Sequence, residues 1–395
     1  MIFLDNASTT PIDPQVLELL SQSLAEDFYN PHSHFKKSRS LLKQIEESQK
    51  IILEELGLSQ SHQLFFTSGA TESNHWVIDS LQCQLKKIFF SKADHVSTYA
   101  KIENSQLLNC AVELSLDAGL YCSRHITEIC QEIATSPRME QSPSTLFLLN
   151  VVNSQSGKRQ MSEAMLEQLG QLGDRVFVHL DATQIILNDE NLVNLKNADS
   201  LSLSFHKFNG PKGIGALIVK KKWIEQKKIK PMFFGHARNN LNLRAGTYNA
   251  PLIFAATKAI SSHREFIKNN PTHFKNLSAL LKNELSNLMS EEIFFPWDIS
   301  SKDHDGKIAS IVLRHYPSDV LLRLLEEENI FISSTSACSP RIQDNNPVFQ
   351  SLGLDLKWHK NILRISFSRS TSENDIQAFI QTFQKILQRL KILKK

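Results

Sequence analysis

Short apolar runs alternate with amphipathic stretches between about residues 60 and 220. The amphipathic stretches, such as Glu72–Leu85 and Ser162–Leu172, repeat their apolar residues at helical spacing. This alternation predicts an α/β layer in which helices cover a mostly parallel sheet. The runs predicted as strands are Gln63–Thr67, Ile88–Ser91, Leu146–Val152, Val176–Leu180, Ser200–Phe205 and Ala216–Val219.

The pattern changes after about residue 250, where long helical stretches and fewer strands indicate an α+β arrangement. We therefore expect a large domain of residues 15–255 and a smaller one formed by residues 1–14 and 256–395. The predicted elements of the second part are a helical region Pro251–Met289 interrupted at Pro271, a strand Lys307–Arg314, a helix Ser318–Asn329, a strand Leu363–Ser368 and a helix from Ser372.

Length and charge limit the possible classes of protein. The 395 residues suffice for two domains that share a large core. The net charge of +3, from 44 basic and 41 acidic residues, is too small to indicate nucleic acid or a membrane as the main partner. The first apolar run ends at Asp5, which predicts no secretory signal, and no run approaches the roughly 20 residues of a membrane span.

The five cysteines are odd in number and lack paired metal spacing. This pattern predicts a reducing, cytoplasmic environment without a disulfide framework or a metal site. Cys338 lies in a small, polar stretch (Ser333–Pro340) where a substrate could reach a thiolate, although composition alone does not separate this role from an inert cysteine. The other four lie in apolar or amphipathic settings and are expected to be inert: Cys83, Cys110, Cys122 and Cys130.

Polar groups follow two of the predicted strands. The small residues of Thr67–Asn74 come between a strand and a helix, where they can either bind a phosphate at the helix N-terminus or form an ordinary capped turn. Asp181 ends the strand that begins at Val176, where a carboxylate can pair with a protonated pyridine nitrogen or cap the next segment. Either signal alone is weak.

Lys207 follows the strand Ser200–Phe205 and has His206 and a Gly/Pro loop beside it. Most lysines are solvated surface charges, but a desolvated lysine near other cations can be neutral enough to form a Schiff base. Ligands of open α/β sheets bind outside the carboxyl ends of the strands. Because a phosphate loop, a carboxylate and a lysine occur in that order at such ends, the sequence predicts that Lys207 carries pyridoxal phosphate (PLP).

Arg364 begins the predicted strand Leu363–Ser368. A guanidinium group can bind a carboxylate through two parallel hydrogen bonds, whereas an isolated arginine is more often a surface residue. The presence of the other motifs in the chain makes Arg364 a candidate for binding a substrate carboxylate.

Together these motifs resemble the cysteine desulfurases, the NifS/IscS-like branch of the class-V aminotransferase family of PLP enzymes of fold type I. The resemblance extends almost from end to end, and its most specific parts are the His-Lys-x-x-Gly-Pro-Lys-Gly and Ser-Ala-Cys motifs. It implies a large domain with a seven-stranded type of sheet, flanked by helices, and a smaller α+β domain. It covers Leu4–Pro11, Asn30–Pro31, Phe66–Asn74, Asp94–His95, His179–Gln184, Ser204–Gly215, Arg244–Thr247, Ser333–Cys338 and Leu363–Arg369.

The resemblance implies a role for each matching residue. Lys207 would be the Schiff-base lysine and proton shuttle, and His95 would stack on the PLP ring and be available for proton transfer. Asp181 would pair with the pyridine nitrogen and Gln184 with the ring hydroxyl. The phosphate would be bound by Ala70, Thr71, Ser204 and His206, with Thr247 contributed by the other subunit of a homodimer.

The activity implied is removal of sulfur from L-cysteine. Arg364 would bind the cysteine carboxylate, and Cys338 would accept the sulfur as a persulfide, leaving L-alanine. The sulfur would then pass to an acceptor protein, either an iron–sulfur scaffold or a tRNA-thiolation protein, without direct binding of nucleic acid.

Three departures from the family pattern keep two alternatives open. Ser154 stands in place of an asparagine that reaches the cofactor, Phe205 in place of a glycine, and Phe234-Gly235-His236 in place of three glycines. The chain could be a related PLP enzyme, such as a selenocysteine lyase or an aminotransferase, or a weakly active PLP-binding partner protein. Cys338 favours the desulfurase over an aminotransferase, which needs no thiol there.

Overall fold

The computed structural model describes residues 1–137, 142–235, 243–289, 291–334 and 346–393. In chain order the strands of these ranges are β1 (Ile2–Phe3), β2 (His62–Thr67), β3 (Lys87–Phe90), β4 (Ala111–Glu113), β5 (Leu116–Asp117), β6 (Leu120–Tyr121), β7 (Thr145–Asn150), β8 (Val176–Asp181), β9 (Ser200–Ser204), β10 (Gly215–Lys220), β11 (Ile293–Phe294), β12 (Ile308–Leu313), β13 (Ile330–Phe331), β14 (Ser333–Ser334) and β15 (Ile362–Ser366). The helices are α1 (Pro14–Glu26), α2 (Lys36–Glu55), α3 (Ala70–Leu81), α4 (Val96–Glu103), α5 (Ser123–Thr135), α6 (Glu163–Gln171), α7 (Asp189–Leu195), α8 (Lys221–Glu225), α9 (Ala250–Asn269), α10 (His273–Met289), α11 (Ser318–Glu327), α12 (Pro347–Ser351) and α13 (Glu373–Leu393).

The large sheet has seven strands in the order β2-β10-β9-β8-β7-β3-β4. β10 is antiparallel to both of its neighbours, and the other pairs are parallel. The predicted α/β fold with a mostly parallel sheet is therefore confirmed. All six strands predicted between residues 60 and 220 are present in this sheet, with ends shifted by at most two residues. The seventh, β4, is too short to stand out in the hydrophobic pattern.

The large sheet is buried on both faces, which explains why its strands read as nearly continuous apolar runs. Phe177 packs on one face with Trp76 and Trp223. Its neighbour Val178 points to the opposite face, into a second cluster that includes Ile45 of α2. Because successive side chains of a strand point to opposite faces, one apolar strand supports both layers of helices.

A second core lies between the antiparallel sheet β11-β12-β15-β14 and helices α10, α11 and α13. Leu4, from the start of the chain, belongs to this core, and β1 pairs in parallel with β13. Helix α9 contributes Ile253 to the large core and Ile267 to this one. The division between two domains at residue 255 therefore stays a prediction.

Residues Asp5–Asp13, here called the N-terminal strap, connect the second core to the loop that carries Lys207. The Thr10 hydroxyl donates a 2.8 Å hydrogen bond to the carbonyl of His206 and accepts one of 2.8 Å from the backbone N–H of Asn209. At the other end of the strap, the backbone N–H of Ala7 donates to the Ser366 hydroxyl over 2.8 Å. The strap thus fixes the position of the loop after β9 relative to β15.

Gly215 illustrates how tightly the large sheet packs against the loop that begins α3. A Cβ atom at this position would lie 2.5 Å from the Cα of Gly69 and 2.5 Å from the carbonyl oxygen of Leu203, both backbone atoms. We expect Gly215→Ala to displace Gly69, lowering the free energy of unfolding by about 1–3 kcal/mol and weakening PLP binding. Thermal unfolding and PLP titration measure the two effects. Gly170→Ala is the control, because no atom lies within 4 Å of its added Cβ, and equal behaviour of the two variants would contradict the prediction.

Within the described ranges, no helix combines the length and the apolar character that crossing a bilayer requires.

Candidate active site

A cavity of about 370 Å³ opens at the carboxyl edge of the large sheet, between it and the second core. β8 and β9 end at this cavity, and the loop before α3 and strand β15 contribute further walls. The structure brings most of the predicted site residues together here, since the lining includes Ala70, Thr71, His95, Asp181, Gln184, Ser204, His206, Lys207 and Arg364. Their individual roles remain proposals that this arrangement supports.

Lys207 ends a short 3-10 turn (Phe205–Lys207) directly after β9. Its Nζ atom donates hydrogen bonds to the carbonyl oxygens of Ala7 and Ser8 in the N-terminal strap, the second over 2.6 Å. Burial, together with the positive charges of Arg364 and Lys307, lowers the pKa of Lys207 to about 7, against smaller opposing effects of nearby carboxylates. Much of the amine is therefore neutral near pH 7, as an attack on an aldehyde requires.

This lowered pKa predicts how PLP capture depends on pH. The neutral fraction of Lys207 rises as the pH passes through the pKa of about 7, so we expect the capture rate of the cofactor-free protein to increase about tenfold from pH 6 to pH 8 and then to level off. Stopped-flow absorbance after addition of PLP measures this rate. A rate that keeps rising steeply above pH 9 would indicate an ordinary, solvated lysine and contradict the prediction.

Asp181 ends β8 and is 5% exposed. Its Oδ2 accepts a 3.0 Å hydrogen bond from the side-chain amide of Asn74, and its Oδ1 accepts one of 3.0 Å from the backbone N–H of Thr183. Both donors hold the carboxyl group in place at the cavity wall. Asp181 is thus oriented where it could pair with a protonated ring nitrogen.

The N-terminus of α3 and the end of β9 form a small polar pocket in the cavity. The backbone N–H of Ala70, the first residue of the helix, donates a 2.9 Å hydrogen bond to the Ser204 hydroxyl. Burial lowers the pKa of His206 to about 4, with nearby lysines contributing, so its ring is neutral at physiological pH. Helix N-terminal N–H groups with hydroxyl and imidazole donors are suited to a phosphate group.

Gln184 lies on the cavity wall beside the N-terminal strap. Its Nε2 donates a 2.8 Å hydrogen bond to the carbonyl of Ala7, which fixes the orientation of the amide. Its Oε1 is buried and has no partner among the described residues. This oxygen can therefore accept a hydrogen bond from a hydroxyl group bound in the cavity, in agreement with the role expected for Gln184.

His95 caps the start of α4 and faces the cavity. Its Nδ1 accepts a 3.2 Å hydrogen bond from the backbone N–H of Ser97 and lies 2.8 Å from the hydroxyl of the same residue. The surrounding protein displaces much of the hydration of the ring and lowers its pKa, while the charge of Asp181 opposes this effect. His95 is therefore a neutral imidazole on the cavity wall.

Arg364 reaches the cavity from β15, on the side of the second core. Its Nη2 lies 3.0 Å from Asp5 Oδ1 and donates a 2.7 Å hydrogen bond to the hydroxyl of Ser8. Its Nη1 donates to the carbonyl of Ser154 over 3.1 Å, whereas its Nε is buried without a partner among the described residues. The unused donor supports a carboxylate-binding role for the side chain.

The departures from the family pattern occupy different places. Ser154 lines the cavity, so a shorter side chain stands where the family has an amide. Phe205 points away into the large core, where it is fully buried, and does not line the cavity. Phe234 is 88% exposed, and His236 lies outside the described residues.

Among the described residues, one predicted site residue does not line the cavity. Thr247 is exposed, away from the cavity lining. Cys338 lies outside the described residues, and so its predicted reactivity stays a prediction. The described residues on either side of that segment, Ser334 and Asn346, both line the cavity.

Sequence reasoning missed several polar residues that support the site. Asn74, Ser97 and the strap residues Asp5 and Ser8 contact the predicted residues directly. Asp94 also lines the cavity, and burial raises the pKa of its carboxyl group to about 8, although the hydroxyl of Tyr121 donates to it over 2.7 Å. Motif spacing could not reveal these residues, because most of their partners are distant in the sequence.

The donor set fits PLP better than a metal ion. A weakly basic lysine, a buried carboxylate, a helix N-terminus and a buried amide oxygen without a partner supply contacts for the aldehyde, ring nitrogen, phosphate and hydroxyl of PLP. Across the described part of the chain, no group of three or more His, Cys, Asp or Glu side chains is arranged to hold a metal ion.

Comparison with known proteins agrees with this geometry. The model of the family "Aminotransferase class-V" matches residues 2–379. A cysteine desulfurase IscS of Methanosarcina thermophila is 26% identical over 410 residues, covering 99% of this chain and 93% of that protein. A protein of the same name from Buchnera aphidicola is 28% identical over 399 residues, covering 99% and 94%.

Solved structures show the same fold. A NifS-like protein superposes with a TM-score of 0.84 at 23% identity, covering 98% of this chain and 99% of that one. A NifS-like protein from Rickettsia africae gives a TM-score of 0.82 at 24% identity, with 98% and 99% coverage.

The predicted resemblance to cysteine desulfurases and the predicted cofactor are thus confirmed. The family model covers nearly the whole chain, and the curated relatives match it from end to end. The chain belongs to the class-V aminotransferase family, whose members use pyridoxal phosphate.

Proposed function

We propose that the protein is a cysteine desulfurase, which converts L-cysteine to L-alanine and places the sulfur on Cys338 as a persulfide. One observation carries the proposal: Lys207 and Arg364 face a single cavity whose wall includes both described residues that flank the Cys338 segment. The curated relatives described above, named cysteine desulfurases, support the same activity.

The position of Cys338 along the chain supports its role as the sulfur acceptor. It follows Ser334 by four residues, and a fully extended chain spans at most about 3.5 Å per residue. Its Cα atom therefore cannot lie more than about 14 Å from that of Ser334, which lines the cavity. This short connection is compatible with delivery of the thiol to a substrate bound beside Arg364.

Each side chain of the site has a separate role in the reaction. Arg364 binds the carboxylate of L-cysteine through its free Nε and orients the substrate. Lys207, with its pKa of about 7, accepts and returns protons at the substrate carbons. When bound, PLP withdraws electron density from the substrate's α-carbon, while Asp181 and the polar pocket at Ala70, Ser204 and His206 bind its ring nitrogen and phosphate.

The sulfur transfer balances without a further reagent. The C–S bond of L-cysteine breaks and an S–S bond to Cys338 forms, while a C–H bond replaces the C–S bond in L-alanine. The substrate carbon is reduced by two electrons, and the substrate sulfur and the Cys338 sulfur together are oxidised by two when the S–S bond forms, so the electrons balance. The persulfide then requires a thiol or an acceptor protein to release it.

We further propose that the protein acts as a cytoplasmic homodimer and passes sulfur to an iron–sulfur scaffold or a tRNA-thiolation protein. Thr247, which is exposed and outside its own chain's cavity, is suited to contact the phosphate of a second subunit. The absence of paired cysteine spacing in the sequence supports a reducing compartment.

An assay of the PLP-loaded protein tests the function. With L-cysteine and a reductant, we expect sulfide and L-alanine in equal amounts. L-selenocysteine, and L-alanine with a keto acid, are tested in parallel, because a selenocysteine lyase prefers the first and an aminotransferase transfers the amino group of the second. A coloured protein that turns over none of them would overturn the proposal and favour a PLP-binding partner protein.

A further inference from the structure

Asn74 of α3 lies behind the cavity wall, where it is fully buried and does not itself line the cavity. Both hydrogens of its side-chain amide are used: Nδ2 donates to Ser97 Oγ over 3.0 Å and to Asp181 Oδ2 over 3.0 Å. One buried amide therefore connects two walls of the site, the start of α4 and the end of β8.

The chemistry of its partners fixes the orientation of this amide. The carboxylate of Asp181 can only accept, so the nitrogen of Asn74 must face it. The oxygen then faces His179 Nε2, at 2.9 Å, and this ring nitrogen must carry a proton. His179 is neutral, because burial lowers its pKa to about 4, and its Nδ1 accepts from the hydroxyl of Ser200 at 2.7 Å. Every contact in this chain of hydrogen bonds has one possible direction.

The same reasoning continues from Ser97 to His95. Because Ser97 Oγ accepts from Asn74, its own proton is free to be donated to His95 Nδ1, at 2.8 Å. The backbone N–H of Ser97 points at the same nitrogen over 3.2 Å. His95 Nδ1 therefore faces two donors and carries no proton, so the neutral ring has its proton on Nε2.

We infer that Asn74 is a positioning residue, which orients the Asp181 carboxylate and, through Ser97, sets His95 in the Nε2–H tautomer. His95 therefore donates a hydrogen bond into the cavity and cannot act there as a base. Taking up a proton at the substrate falls to Lys207, and this division of roles rests on the proposed function. The charged groups that act on His95 are Asp181 and Lys207.

The tautomer is tested first, by nitrogen NMR of the PLP-loaded protein labelled with ¹⁵N-histidine. The His95→Gln variant identifies the resonances of His95. We expect Nδ1 in the unprotonated range and Nε2 in the protonated range for the wild-type protein. A protonated Nδ1 would overturn the inference, whatever the behaviour of the variants.

The link to Asp181 is tested by PLP affinity. Hydrogen bonds to charged groups are strong, so we expect Asn74→Ala to weaken PLP binding about tenfold or more, and Asn74→Asp, which keeps the shape but replaces the donor, to weaken it further. If the shape of Asn74 mattered and its donation did not, Asn74→Asp would bind PLP like the wild type, and the inference would fail.

Asn191→Ala is the matched control, because Asn191 is a buried asparagine outside this cavity whose amide donates to the carbonyl of Ile186 over 2.8 Å. It is expected to lower the thermal stability while leaving the PLP affinity and the His95 tautomer unchanged. If Asn191→Ala weakens PLP binding as much as Asn74→Ala does, the effect is a general loss of stability and the inference fails. Neither measurement uses L-cysteine, so their results are independent of whether sulfide is released.

Discussion

Replacing Lys207 with alanine is expected to abolish the absorbance of a PLP Schiff base and to lower sulfide release by about 100- to 10,000-fold. The variant loses both the amine that binds the aldehyde and the group that moves protons at the substrate. PLP itself would still bind, because Asp181 and the polar pocket at Ala70 and Ser204 are unchanged. Spectra of the purified variant, with sulfide and alanine measurements, check both effects.

The matched control for this variant is Lys221→Ala. Lys221 lies next to β10 at the opposite edge of the sheet, and its Nζ also donates to two backbone carbonyls, those of Ser59 and Gln60. Loss of a lysine bonded in this way should leave the Schiff-base spectrum intact. A Schiff-base spectrum that survives in Lys207→Ala would show that another lysine carries the cofactor.

Cys338→Ser is expected to differ from Lys207→Ala in keeping a normal PLP spectrum, while its sulfide release also falls, by at least about 100-fold. Serine retains the size and polarity of the residue but cannot take up sulfur as a persulfide. Binding of L-cysteine should persist, because Arg364 and its contacts with Asp5 and Ser8 are unchanged. Absorbance changes on adding L-cysteine, together with sulfide measurement, separate binding from turnover.

Cys83→Ser is the control, because Cys83 is the exposed member of the four free cysteines in the described part of the chain. It should match the wild-type protein in both measurements. Sulfide release by Cys338→Ser at the wild-type rate would show that sulfur leaves without this thiol. The chain would then act by direct elimination from the substrate, and the persulfide mechanism would be wrong.

The main features of the fold could be predicted from the sequence, because they depend on local patterns. Buried strands read as apolar runs, and Asp181 and Lys207 stand directly after two of them. The carboxyl ends of parallel strands meet at one edge, so the order of residues along the chain was enough to place these two side chains in one site.

The supporting contacts could not be predicted, since they join residues that are far apart in the sequence. Asn74 is 107 residues from Asp181, and Ser8 is 356 residues from Arg364. The hydrophobic pattern of α3 does not distinguish Asn74 from any other buried polar residue. The position of the Phe205 side chain could not be predicted either. Only the packing in the structure shows that its ring fills the core and leaves the cavity unobstructed.

The N-terminal strap has a consequence for how the protein matures in the cell. Ala7 and Ser8 bind the amine of Lys207, and Asp5 and Ser8 bind Arg364, so the strap contacts a residue that is synthesised more than 350 residues later. Nascent chains fold as they emerge, but contacts across the whole length must wait for the final segments. The large sheet can therefore form before Arg364 has been synthesised, whereas the catalytic pocket is completed only afterwards.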